Sequence, residues 1–583
     1  MTTVAVPSPA ARGTGPGRAR MWLLAGAAAV CLYYFVMQLW ALGGALGLPL
    51  DDSFIHLQFA RNLAAGRGLS YNPGELVTGS TAPLWTALLA LLAYLPGSPL
   101  AWAQLLGGML YLATVDATWR LAHELGLSRG LAALAGGLTL GTGWLAWSAL
   151  SGMEVPLFAL LSLWGIILHL RERGADLAAL RRGAGADAAV GSAAVAAELS
   201  AVAPPPPPLA AAVLALAALA RPEGLLLLAL AFADRCLLAT RAAAATPESP
   251  ATVETSAPGL GEPAGPLVWH RPPLRRLAAG ALLAACVLAG PLLFYRLAGG
   301  SFLPTTFGAK GGHLRQWLPN LQYVDTVVAI FLRPQPFMTL LAGGGIAALV
   351  ARLGSRRDRG LLPAFWVAVL PLLYSTISPS GSKVLVGNFG RYYFPLFPMV
   401  ILLGIVGLEG AAAALRPRSF VRAVLVALLL APTLLDLWMH AGLYTLNLVN
   451  VEGSDVRAAH WLAPRLPAAA VLAVNDIGVF KFLLPNRVID LAGIANPELS
   501  REVARLVAGG LPFEQAMAVA VTARRPDYIA IFPSWLPHLP ALLNLRPLLR
   551  LHIEHNVTMG ASDLVVYGTP WTRFSLKKMP GDT

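Results

Sequence analysis

The chain has 583 residues, of which 56% are hydrophobic and only 13% charged, and its mean hydropathy is +0.63. Soluble domains carry about 25% charged residues, so lipid is the expected solvent and a water-soluble globule is excluded. The net charge is +13, yet the arginines sit in short clusters between apolar runs, which fits membrane topology and leaves no large polar face for a nucleic-acid partner.

Arg12, Arg18 and Arg20 precede an apolar run from Met21 to Leu46. That run is too long for a signal-peptide core and predicts a first span that stays in the membrane. Further spans are predicted at 100–121, 130–149, 155–170, 277–298, 336–351, 361–378, 393–412 and 421–441, with a short pair at 209–220 and 224–239. The run 83–95 is too short to span and predicts a helix sunk in the outer leaflet. The total is about eleven crossings of the length a bilayer needs. With the N-terminal tail (1–20) in the cytoplasm, every inner loop carries arginines: Arg120/Arg129, Arg171/Arg173/Arg181/Arg182, Arg235/Arg241/Arg271/Arg275/Arg276, Arg352/Arg356/Arg357/Arg359 and Arg416/Arg418/Arg422. This is the positive-inside pattern, and it predicts a multi-pass protein of the cell membrane.

Residues 174–208, ending in Pro204–Pro208, and residues 242–268 lack apolar periodicity and predict disordered cytoplasmic linkers. From 445 the pattern changes to short β-rich pieces at 470–474, 488–491, 528–532, 552–554 and 564–567, with helices at 455–464 and 501–520. The expected architecture is therefore an α-helical polytopic membrane domain over 21–444 and a small extracytoplasmic α/β domain over 445–583. Cys31, Cys236 and Cys286 lie in or beside apolar runs without metal-ligand spacing and read as small hydrophobes. The histidines are scattered, so a metal site has little support and no cofactor is expected, although a divalent ion is left open.

The first outer loop (51–99) is the richest in chemistry. Asp51-Asp52 opens a segment in which Ile55, Phe59 and Leu63 recur at helical spacing, predicting an amphipathic helix over 53–65 on the outer surface. Gly66 and Gly68 end it, and Tyr71-Asn72-Pro73-Gly74 suits a type II turn. A carboxylate here can cap the helix, but one cap needs one acid, so the second is open to other work. His56 and Arg61 lie on the same segment. Three further clusters fall at predicted outer ends: Ser151-Gly152-Met153-Glu154, Phe302 to Lys310, and Gly390-Arg391-Tyr392-Tyr393. Arg221-Pro222-Glu223-Gly224 interrupts an apolar stretch, where charge is costly and tends to be functional. Each also has an ordinary reading: Glu154 as a cap of the following helix, Lys310 as a solvated lysine near headgroups, Arg391 as an interfacial anchor, and Arg221 with Glu223 as a hairpin tip. Asn475-Asp476 and Asp490 lie beside predicted strands, where turn formation is the default. No dinucleotide, P-loop, HExxH or GxSxG motif organises the chain.

In order and predicted location, these pieces resemble the GT-C superfamily of membrane glycosyltransferases. The matching segments are Asp51-Asp52-Ser53-Phe54-Ile55, Arg61-Asn62-Leu63 through Gly68, Tyr71 through Glu75, Ser151 through Glu154, Arg221 through Gly224, Leu303 through Lys310, Arg391 through Pro395, Asn475 through Gly478 and Asp490 through Gly493. They are nearest in flavour to the actinobacterial arabinofuranosyltransferases of the cell wall. Gly308 is a departure, standing where relatives tend to carry an aromatic. The resemblance implies a polyprenyl-phosphate sugar donor and an extracytoplasmic acceptor hydroxyl on a glycan, lipid or protein. It implies Asp51 as general base, with Asp52 capping the helix or orienting the acceptor. Lys310, Arg391 and Arg221 become candidates for the donor phosphate, and His56, Arg61, Glu154, Glu223, Tyr392, Asn475 and Asp476 candidates for substrate binding. The competing readings are a lipid-linked sugar transporter or flippase built around a broken helix at Arg221/Glu223, and a non-catalytic assembly protein of the envelope.

Overall fold

Backbone polar groups in lipid must bond within their own segment, and this chain meets that demand with helices. The structure, a computed structural model, describes residues 16–188, 206–241, 266–302, 304, 318–355, 357–377, 390–415 and 418–577. The elements run α1 (Pro16–Ala41), α2 (Asp51–Ala64), α3 (Pro83–Leu92), α4 (Pro99–Glu124), α5 (Arg129–Gly141), α6 (Gly143–Ala149), α7 (Val155–Ala188), α8 (Leu209–Ala220), α9 (Glu223–Cys236), a hairpin of β1 (Ala239–Arg241) and β2 (Leu267–Trp269), α10 (Leu274–Gly299), α11 (Leu321–Leu332), α12 (Pro336–Ala351), α13 (Leu362–Ile377), α14 (Phe397–Leu415) and α15 (Ser419–Val451).

Among the described residues six helices are long and apolar enough to cross a membrane: Gly17–Ala41, Pro99–Glu124, Val155–Arg181, Leu274–Gly299, Phe394–Ala413 and Ser419–Leu462. The pair α11 and α12, bent by 117°, raises this to as many as seven. Shorter apolar helices lie at Pro83–Leu92, Leu209–Ala220 and Leu362–Thr376. The run predicted as one span at 130–149 is two helices, α5 and α6. They part at Thr142, whose backbone is extended, and the freed Gly143 N–H is taken by Asp436 of α15 at 2.8 Å. Polar side chains also bind helices together: Gln38 of α1, Gln104 of α4 and Tyr444 of α15 form a buried hydrogen-bonded triangle. Small residues let α12 and α14 touch, since a Cβ added at Gly345 would stand 1.9 Å from the Leu403 carbonyl oxygen.

Parts of both predicted linkers lie in regular elements. α7 continues through Ala188, and ion pairs tie its later turns to the bundle: Arg173 with Asp358 (2.7 Å), and Arg235 with Glu172 (2.7 Å) and Asp176 (2.5 Å). At the second linker Leu267–Trp269 pairs antiparallel with Ala239–Arg241.

α15 passes without interruption into one π-helical turn, Glu452–Val456, and α16 (Arg457–Leu462), so the boundary expected at 445 falls inside a helix. The C-terminal domain then follows with β3 (Val471–Val474), α17 (Gly478–Leu483), β4 (Arg487–Asp490), α18 (Pro497–Ala508), α19 (Phe513–Arg524), β5 (Tyr528–Ile531), α20 (Leu539–Leu542), β6 (Arg546–His552) and β7 (Asp563–Gly568). The sheet order is β4-β3-β5-β7-β6. β4, β3 and β5 are parallel, and β7 runs antiparallel to β5 and β6. Side chains alternate between two cores as a pleated strand requires. Leu472, Val474, Val488, Tyr528, Ala530 and Val566 join the core of the helical bundle. Ala473, Ile489, Ile529, Ile531 and Val565 join a second core with Leu499, Val503, Met517 and Val521 of α18 and α19. The helix predicted over 501–520 is these two helices, broken at Gly509-Gly510-Leu511-Pro512. The strand predicted at 552–554 is the earlier β6, whose apolar signal Pro547, Arg550 and a bulge between Pro547 and Leu549 obscure.

Candidate functional site

α2 is not the surface helix its periodicity suggests. Residues 53–60 are all buried, since α2 lies between α3, α17 and the loop before α7. Ser53 Oγ donates to the Ser151 carbonyl at 2.6 Å, and Trp85 Nε1 to the Gly152 carbonyl at 3.0 Å. The expected turn is present, with Glu75 N–H on the Asn72 carbonyl at 3.1 Å and Gly74 at φ 83°.

Leu50 is the N-cap of α2, and Asp51 and Asp52 both stand in its first turn. Asp51 caps a different helix. Its Oδ2 accepts from Gly478 N at 2.8 Å and its Oδ1 from Val479 N at 2.7 Å, at the start of α17. Glycine permits this approach, because a Cβ at 478 would lie 2.0 Å from the Asp51 carbonyl oxygen. Tyr71 Oη donates to the neighbouring Ile477 carbonyl. Burial pushes the Asp51 carboxyl up to about 7; the two amides oppose this shift, and the charges of Asp52 and Asp490 add to it.

Asp52 pairs with Arg391, which stands before the short 3-10 turn Phe394–Leu396 leading into α14. Beside this pair the Tyr392 ring lies 4.9 Å from the guanidinium of Arg221 and 6.0 Å from that of Arg391. Arg221, at the joint of α8 and α9, is gripped by two carboxylates. Glu154 accepts from its Nη1 at 2.5 Å and Glu223 from its Nη2 at 2.8 Å. His56 Nε2 lies 3.2 Å from Glu154 Oε2. Arg221, Glu154, Glu223 and His56 are all buried. The cationic neighbours hold Glu154 well below the usual carboxylate range despite its burial. Arg221, expected to face a phosphate, already shares its guanidinium with two carboxylates.

Arg61 donates to the Phe482 carbonyl at 3.0 Å and stacks over the Phe482 ring at 5.1 Å, so it docks α17 against α2. Asn475 Oδ1 accepts from Phe532 N at 3.3 Å and ties β3 to the end of β5. Asp490 accepts the amides of Ala492 (2.8 Å) and Ala495 (2.6 Å), closing its own loop; burial pushes it up to about 6. Asp476 is half-buried, has no hydrogen bond among the described residues, and is pushed well above the carboxylate range by burial and by the charges of Asp51, Asp52 and Asp490. Lys310 and Gly308 lie outside the described residues. Tyr374 and Tyr323 were missed by sequence reading. Tyr374 packs on Tyr392 and Tyr393 at 5.8 and 6.0 Å, and Tyr323 Oη meets Tyr393 Oη at 2.6 Å. Their only sequence signal is a lone tyrosine near the end of an apolar run. Among the described residues no group of three His, Cys, Asp or Glu side chains is arranged to hold a metal.

Residues 447–571 match a family described as a domain of unknown function, DUF8728. No curated protein matches the chain. Among solved structures, ArnT from Cupriavidus metallidurans in the apo state is similar over 94% of this chain and 98% of its own, with 16% identity and a TM-score of 0.53. The same protein bound to undecaprenyl phosphate is similar over the same shares, with 15% identity and a TM-score of 0.51. The fold is therefore of the GT-C type, as the resemblance implied.

Proposed function

We propose that the chain is a membrane glycosyltransferase that moves a sugar from a polyprenyl-phosphate donor to an acceptor hydroxyl on the extracytoplasmic side of the cell membrane. One observation carries this reading. The acid pair at the exit of α1 meets, at one end of the bundle, an arginine more than 300 residues later in the chain, Arg391, and the first turn of α17 in the C-terminal domain. The GT-C fold supports it, as does the lipid in the structure of ArnT bound to undecaprenyl phosphate. The arginine-rich loops support an N-terminus in the cytoplasm and a C-terminal domain outside it.

Asp51 is the base. A hydroxyl is a weak nucleophile until its proton is taken, and a base works best with a pKa near the ambient pH. The carboxyl of Asp51, pushed up to about 7, meets that condition. Its two amide donors occupy one lone pair on each oxygen, and a carboxylate has about four such sites, which leaves room for the acceptor's proton. The acceptor oxygen then attacks the anomeric carbon, the bond from that carbon to the phosphate oxygen breaks, and the electron pair leaves with the polyprenyl phosphate. Arg391, oriented by Asp52, and Lys310 supply positive charge to the leaving group.

The test is transfer of radiolabelled sugar from a polyprenyl-phosphate donor to an arabinan or lipid acceptor by the purified full chain in detergent, where vectorial transport is impossible. The expected result is transfer by the wild type and a loss of about 10²-fold or more in Asp51→Asn. An unimpaired Asp51→Asn protein removes the base assignment, and a wild type inactive with every donor favours the flippase reading.

A further inference from the structure

We infer that the acceptor is an amphiphile, and that the apolar cavity between α2, α15 and α17 holds its hydrocarbon chain while its hydroxyl-bearing head faces Asp51. This rests on the transferase reading and names the class of acceptor that the same site takes.

The cavity measures about 200 Å³. It lies where the loop after α1, the start of α4 and the end of α15 with its π-helical turn meet α2 and α17. Leu48, Phe54, Val451 and Val456 are buried in its walls, and the Phe482 ring lies 5.6 Å from that of Phe54. An apolar cavity of about 150 Å³ stays dry and takes a benzene ring, so this one has room for roughly seven carbon atoms. Its polar side chains belong to Glu452, half-buried, and His460, exposed. The dry floor therefore faces inward and the polar rim outward, the usual build of a small-molecule site.

Its position says where the chain comes from. α1, α4 and α15 all have an end beside it, and Trp40, Tyr94 and Val449 stand exposed near those ends. Exposed aromatics at the ends of spanning helices mark the membrane–water interface, so a chain enters from the leaflet on the side of the acid pair. Its head then lies at the level of the base, since Phe54 follows Asp51 by three residues on α2, a rise of about 4.5 Å. The donor's own tail is the competing occupant, and two features set it aside. Asp52 and Phe54 are two residues apart, about 200° around the helix, so the cavity and the Asp52–Arg391 pair lie on opposite faces of α2. Glu452 also sets a carboxylate at the rim, which repels a phosphate and accepts bonds from hydroxyl groups.

The test uses the full chain in phosphatidylcholine nanodiscs and two probes, methyl arabinofuranoside and an octyl arabinofuranoside with a diazirine at the end of its chain. The variants are Val456→Phe, which fills the floor, and Ala45→Trp, which blocks the mouth from an exposed loop position and needs no repacking. The photolabel is expected on residues 448–456 of the wild type. It should fall about tenfold in each variant, the loss of close packing around two methylenes or so, and undecaprenyl phosphate should not displace it. In transfer assays the octyl probe should show a KM about tenfold or more below that of the methyl probe, an advantage that both variants lose. Labelling that is equal in wild type and variants overturns the inference, because the probe then lies on the lipid-facing surface. Displacement by undecaprenyl phosphate also overturns it and gives the cavity to the donor's tail. Equal KM values for the two probes remove the amphiphilic acceptor and leave the transferase reading standing. A wild type that is labelled but transfers sugar from no donor removes the transferase reading, and the acceptor role with it.

Discussion

The carboxylate of Asp51 accepts the backbone N–H of Val479 at 2.7 Å, so the exit of the first long helix and the C-terminal domain are joined through the acid expected to act as base. Because burial raises this group from 3.8 to about 7, its effect on stability has an unusual sign for a carboxyl. The folded state binds the proton more tightly than the unfolded state. The contribution is complete below about 3.8 and is lost as the pH rises through about 7. Asp490, raised to about 6, acts in the same direction. The wild type is therefore expected to unfold at a lower temperature at pH 8 than at pH 5, and Asp51→Asn to show a flatter profile. Transfer, which needs the ionised form, should rise over the interval in which stability falls. Thermal unfolding and initial rates across the same buffers check both; a wild-type profile that climbs toward pH 8 overturns the assignment of a raised pKa.

Arg391→Lys tests the cation beside the acid pair. The arginine side chain is 7% exposed and that of Asp52 31%, so solvent screens the pair on one side and its loss should cost only about 1–2 kcal/mol of stability, well short of a fully buried pair. Lysine keeps the charge but loses the fork that lets one guanidinium serve Asp52 and a phosphate together. The expected result is an unfolding temperature within a few degrees of wild type and a donor KM raised about tenfold or more. Equal KM values for the two proteins would show that Arg391 serves only Asp52.

Much of the fold was legible because its signals are local. Long apolar runs marked the six long helices, and β-rich pieces marked β3, β4, β5 and β7. What was hidden depends on partners distant in sequence. The periodicity of α2 read as a surface helix, although α17 covers the face that looked wet, as Arg61 on Phe482 shows. The residues after Arg173 read as a linker because they lack apolar periodicity, and the pairing of Asp176 with Arg235, from a distant helix, is not visible in spacing. At the site, the sequence singled out Asp51, Asp52, Glu154, Arg221, Glu223, Arg391 and Tyr392, and the fold brings them together. Their pairing was not legible. Arg221 looked like a free cation until two carboxylates from different segments were seen to share it.

Gly345 and Gly137 give contrasting tests of the helical packing. A Cβ at Gly345 meets the Leu403 carbonyl oxygen at 1.9 Å, which is backbone and has little room to give, whereas one at Gly137 of α5 meets nothing within 4 Å. Gly345→Ala is expected to part α12 from α14 and lower stability by about 1–3 kcal/mol. Gly137→Ala should be neutral or stabilising by up to about 1 kcal/mol, since alanine is the better helix former. Unfolding temperatures in one detergent compare them, and equal values would show that α12 and α14 can separate without penalty.

Arg61→Ala separates docking from chemistry. Arg61 holds α17 through the carbonyls of Phe482 (3.0 Å) and Lys481 (3.3 Å) and through the Phe482 ring. Removing it deletes hydrogen bonds from a charged donor and one cation–π contact, about 2–3 kcal/mol together after allowing for its exposed edge. That loss falls on the interface between α2 and the C-terminal domain. Amide exchange over 478–483 should quicken about 30-fold or more, while exchange in α18 and α19, which pack on the far face of the sheet, stays unchanged. Transfer should fall through kcat, since Asp51 loses the firm placement of its two amide partners, and the donor KM should stay near wild type. A raised donor KM with unchanged exchange would instead put Arg61 on the substrate.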